Sequence, residues 1–111
     1  MVAKPIEMEI FLTWIDHDKA RLYQFTQEKM ERTILHKKNS SDFMSDVSNR
    51  LKSASRILIL GPGVAMQSFK RYLDENHPNI AKNIMGCEEL IEPTDMAIAE
   101  CAQRFFKQEA S

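Results

Sequence analysis

The stretch RILILGPGVAMQSFKRYL, Arg56 to Leu73, constrains this chain more than any other. Ile57 to Leu60 are four apolar residues held between Arg56 and the turn Gly61-Pro62-Gly63. A short run of β-branched and leucine residues so bounded reads as a strand buried on both faces. Ala65, Met66, Phe69, Tyr72 and Leu73 then recur at helical spacing, which predicts an amphipathic helix from Val64 to about Asn76. Strand, two-glycine turn and helix make half of a βαβ unit, so the chain belongs to the α/β class.

The residues before it predict three strands. Met8 to Ile15 is almost wholly apolar and suits a central strand covered on both faces. Asp16-His17-Asp18-Lys19 is a polar turn, and Ala20 to Phe25 has the length and aromatic content of its hairpin partner. Gln27-Glu28-Lys29 is a break. Met30 to Leu35 alternates imperfectly, as expected of an edge strand, with Glu31 and Arg32 opposing edge-to-edge association. His36 to Ser40 is a basic loop. Ser41 or Asp42 then caps a helix whose apolar stripe is Phe43, Val47, Leu51 and Ala54.

After the second helix, His77-Pro78 forces a stop, and Pro78 starts a short further turn through Ile80 and Ala81. Ile84 to Leu90 is the last strand, weakened by Gly86 and ended by Glu88-Glu89. Thr94 caps a final helix, with Asp95 favoured by the helix dipole and Ile98, Cys101, Ala102 and Phe105 as its buried stripe. The order is βββαβαβα. An antiparallel start followed by right-handed crossovers gives a mixed sheet with helices on both faces, the ribonuclease-H-like three-layer layout.

At 111 residues this is one domain, 1–111, able to bury a core without disulfides. Its 43% hydrophobic and 28% charged residues are ordinary for a globular protein, and a net charge of −1 supplies no whole-molecule attraction to nucleic acid or anionic membrane. Neither a signal-peptide core nor a membrane-spanning run is expected, so the expected location is cytoplasmic. Cys87 and Cys101 lack metal or redox spacing and read as reduced core thiols.

WIDHDKARLYQF, ILILGPGVAMQSFKRYLDENHPNIAKNIMGCEEL and EPTDMAIAECAQRFF resemble a family of small bacterial proteins labelled translational machinery protein. That family is similar to the middle domain of eukaryotic and archaeal peptide chain release factors and of the ribosome-rescue factor Pelota. The resemblance spans roughly Glu9 to Lys107 and implies a role near the ribosome. In release factors the loop between strand 3 and the first helix carries a Gly-Gly-Gln tripeptide that assists peptidyl-tRNA hydrolysis. Here that loop is His36-Lys37-Lys38-Asn39-Ser40, so no peptide release, and no enzymatic activity, is expected.

Among candidate sites, His36, Lys37 and Lys38, joined by Arg32, Arg50 and Lys52, form the best basic patch for RNA or ribosome binding. Gly61 and Gly63 are a structural turn or a weak anion site, because Pro62 removes a donor and no Walker lysine follows. His17, His36 and His77 have no ligand spacing, and no serine or cysteine has an assignable base, so neither cofactor, metal nor catalytic residue is expected. The second reading is a protein-interaction or homo-oligomeric module pairing through edge strand 30–35. A metal-dependent nuclease built on Asp16 is the remote third, since such enzymes need several converging carboxylates.

Overall fold

A computed structural model describes residues 9–25 and 30–110, with the helical backbone alone for 106–110. The Met8 start of the first strand and the Gln27-Glu28-Lys29 break lie outside these residues. Five strands form one sheet in the order β3-β2-β1-β4-β5. β1 (Ile10–Ile15), β2 (Lys19–Phe25) and β3 (Met30–His36) run antiparallel. β4 (Arg56–Gly61) and β5 (Ile84–Glu89) run parallel to β1. The mixed sheet is as expected, and so is β3 at its edge.

Burial follows position in the sheet. Every residue of β1, the central strand, is buried, whereas Met30, Glu31, Arg32, Ile34 and His36 of β3 are exposed. Alternate residues of β1 and β4 feed two cores. Phe11, Ile15, Ile57 and Ile59 pack beneath α1 (Phe43–Arg50), α2 (Gly63–Asn76) and α3 (Pro78–Ala81), with Phe69 and Leu73 fully buried at the centre. Leu12, Trp14, Leu58 and Leu60 face α4 (Asp95–Ala110), which contributes the predicted Ile98, Cys101, Ala102 and Phe105.

Two boundaries differ from expectation for local reasons. The stripe Phe43, Val47, Leu51 and Ala54 is buried throughout, but α1 stops at Arg50. Leu51 and Ala54 enter the core from the following turn, where Leu51 N–H donates to Ser48 O and Ala54 N–H to Leu51 O. His36 continues β3 rather than starting a loop. A register shift opposite Ile57/Leu58 leaves Met85 projecting to solvent. This irregularity re-aims the strand, so that Cys87 packs on the α2 side and Glu88 reaches Cys101 on the α4 side.

Trp14 Nε1 donates to the carbonyl of Leu90 at 2.7 Å, pinning the segment that crosses from β5 to α4. The carboxylate of Asp42 caps α1 by accepting from the Ser45 N–H at 3.2 Å, and Thr94 Oγ1 caps α4 by accepting from the Ala97 N–H at 3.1 Å.

Candidate nucleic-acid interface

The loops at the carboxyl ends of β1 and β4 share one end of the molecule with the turn after β3. At the β1–β2 hairpin, Asp16 Oδ1 accepts from the backbone N–H groups of Asp18 at 2.8 Å and Lys19 at 2.9 Å. The carboxylate therefore serves as the turn's own acceptor. The N–H of Lys37 donates to the Asp18 carbonyl at 2.8 Å, tying the basic segment to the hairpin. Lys37–Asn39 form a single 3-10 turn, closed by the Ser40 N–H donating to Lys37 O at 3.1 Å. His36, Lys37 and Lys38 are all exposed on this anchored backbone.

Lys37 also lines a hollow of about 320 Å³ with Ile15, Asp16, His17, Asp42 and Phe43. Its surroundings are not uniformly basic. Asp16 and Asp42 share the lining, and Ser40 Oγ donates to the Asp46 carboxylate beside it. The exposed Lys37 and Lys38 are cations that suit one or two phosphates, and the carboxylates of Asp16 and Asp42 in the hollow beside Lys37 offset part of that attraction.

The other three members of the expected patch lie elsewhere. Arg32 is on the α4 face, with Nη1 3.9 Å from Asp95 Oδ1. Arg50 ends α1, whose eight residues carry the chain about 12 Å away from the turn. Lys52 borders a separate hollow with Asn76, His77 and Pro78 at the opposite end of α2. Grouping these six by sequence ignored the direction of α1 and the length of β3, along which four residues, about 13 Å, separate Arg32 from His36. The structure brings together His36, Lys37 and Lys38, and adds His17.

Gly61 is a structural glycine. Its φ of 144° lies in the region reserved to glycine, and a Cβ would sit 2.2 Å from the carbonyl oxygen of Ile15. At Gly63 a Cβ would lie 2.9 Å from Glu89 Oε2, so a carboxylate of the chain itself stands at the α2 N-terminus. An incoming anion would meet that negative charge.

Cys87 and Cys101 are free and lie in the two different cores, on opposite sides of the sheet. Burial pushes both thiols above their ordinary value of 9.0. At Cys101 the neighbouring Glu88 adds to the rise and Arg104 opposes it. Both stay protonated at neutral pH and are poor nucleophiles. Among the described residues, no three His, Cys, Asp or Glu side chains gather as a metal site. No described helix is long and apolar enough to cross a membrane.

A wider groove, of about 720 Å³, runs between α4 and the outer strands, lined by Tyr23, Phe25, Met30, Ile98 and Ala102 among others. Sequence reasoning assigned these residues to the core or to a bare edge. The available signal was that a single final helix follows β5, too little to cover five strands.

No family model and no curated protein matches the chain. Solved structures do. Pelota of Archaeoglobus fulgidus matches with a TM-score of 0.71 and 23% identity over 86% of this chain. Pelota of Thermoplasma acidophilum matches with 0.64 and 20% over 85%, and an archaeal translation termination factor with 0.53 and 16% over 77%. Each match covers 31% of the other chain, so this chain spans about a third of the length of the structures it resembles. The fold is therefore similar to one domain of Pelota and of the termination factor.

Proposed function

We propose that this domain works in translation as a non-catalytic factor that touches ribosomal or other structured RNA through the turn His36-Lys37-Lys38. The observation that carries this reading is the likeness of its fold to Pelota and to a translation termination factor. The turn itself adds support. It connects β3 to α1, the position at which the release-factor resemblance implies Gly-Gly-Gln, yet it holds no glycine and no glutamine. Among the described residues only Gly61 adopts a left-handed φ, so the turn does not use the backbone conformations that a glycine tip provides. Lysines in place of the tripeptide suit phosphate contact rather than hydrolysis.

The test is sedimentation with ribosomes from the organism that encodes the chain. Two lysine–phosphate contacts predict about tenfold weaker association between 50 and 200 mM salt. The Lys37→Glu, Lys38→Glu double variant should remain at the top of the gradient at either concentration. Wild-type protein that fails to co-sediment at low salt, or a double variant that binds unchanged, contradicts the reading.

A further inference from the structure

We propose that the groove between β3 and α4 receives an extended acidic–apolar peptide of another protein, added to the sheet as a sixth strand beside β3. The inference does not rest on the RNA reading, and the two surfaces share only His36.

The backbone is the first argument. In an antiparallel ladder, directly opposed residues alternate between exchanging hydrogen bonds and not. The Lys37 N–H bonds to Asp18 O, which places Asp18 and Lys37 in the exchanging set. Following the register Ala20↔Leu35, Leu22↔Thr33 and Gln24↔Glu31, those three β3 residues spend their amides on β2. Met30, Arg32, Ile34 and His36 therefore direct N–H and C=O outward, where β3 has no neighbouring strand among the described residues. These free groups form a template for strand addition.

The side chains are the second. Met30 and Arg32 form the outer wall of the 720 Å³ groove, and Ile98, Ala99 and Ala102 of α4 form the inner one. Met30 is 54% exposed and Ile34 38%, an apolar rim on a strand that leaves this face uncovered. In the groove wall Tyr23 is only 2% exposed, and its hydroxyl has no hydrogen-bond partner among the described residues. Arg21 Nε, buried in the adjoining hollow that Arg32 and Asp95 share, also lacks one. A buried polar group without a partner is costly, and each of these donors would gain an acceptor if an incoming strand displaced the side chains that cover it.

Charge selects the occupant. Arg32 lies opposite Tyr23, Ile34 opposite Arg21 and His36 opposite Lys19. Glu92 and Asp95 border Arg21 and Arg32, with Asp95 3.9 Å from Arg32, so positive charge is in excess toward the Lys19–His36 end and the Met30 end is apolar. A second copy of β3 paired antiparallel about a two-fold axis fits poorly. Directly opposed residues share a face, and Glu31, the carboxylate of β3, is on the other face from Arg32. Such self-pairing never sets Glu31 directly opposite Arg32. A peptide with acids near His36 and Ile34, and apolar residues near Arg32 and Met30, meets both requirements.

The probe is acetyl-Asp-Thr-Glu-Thr-Phe-Thr-Leu-amide, titrated into ¹⁵N-labelled protein and read by amide shifts. Shifts should concentrate on β3 and α4. N-methylation at the peptide's Glu, Phe and Leu removes the ladder donors and should weaken binding about 100-fold. Ala99→Trp, at an exposed position of the groove, should weaken it at least about tenfold while leaving the circular dichroism spectrum unchanged. Absence of shifts at about 1 mM peptide overturns the proposal, as does binding indifferent to N-methylation or to Ala99→Trp. A dimer in sedimentation that Ile34→Lys dissolves would assign the edge to a second copy and also overturn it.

Discussion

The two faces of the sheet are closed to different degrees. On one, α1, α2 and α3 cover the strands, and Val47, Leu51, Phe69 and Leu73 are at most 1% exposed. On the other, among the described residues, α4 alone packs on β1 and β4 and leaves the β3 side open along the groove. Three helices can bury the side chains of five strands; one helix about 10 Å wide cannot. The closed face holds the fold, and the open one is where surface remains to be used.

The sharpest way to break that contrast is to cut matching residues from each core. Phe69→Ala, beneath three helices, should cost about 3–5 kcal/mol. Phe105→Ala should cost about 3 kcal/mol or less, because a lone helix can settle into the cavity. Urea unfolding measures both, and equal losses would mean that α4 is packed as rigidly as the other face. Next in size is Trp14→Phe, which removes the bond to Leu90 O and should cost about 1 kcal/mol. Thr13 is fully buried on the closed side of β1 with its hydroxyl unpartnered among the described residues, so Thr13→Val should be neutral or stabilise by up to about 1 kcal/mol.

The smallest effect is in the thiols, one on each face. Both folded-state values are raised, so each contributes stability that is present below the unfolded-state value and is lost as pH climbs through it toward the folded value. Alkylation by iodoacetamide should accordingly be slow at pH 7 and accelerate only above about 9. Rapid reaction of either cysteine at pH 7 would show a thiol that burial does not protect.

The architecture was legible because its signals are local. Ile57–Leu60 before Gly61-Pro62-Gly63, the α4 stripe from Ile98 to Phe105 and the imperfect alternation of β3 each depend on neighbours in sequence. The candidate site was legible only over His36–Lys38, which are consecutive. Arg32 shares the face of His36 but lies four residues, about 13 Å, along β3 beside Asp95, and Arg50 and Lys52 fell to the other end through helix direction. Both are properties of the assembled sheet. The groove escaped for the same reason, since Tyr23 and Phe25 look like core until the reach of α4 is known.

Amide hydrogen exchange along β3 tests the open edge most directly. The amides of Glu31, Thr33 and Leu35, bonded to β2, should be protected, while those of Met30, Arg32, Ile34 and His36 exchange at nearly the rate of an unstructured peptide. Uniform protection along Met30–His36 would show that something already covers this edge, and would contradict the account.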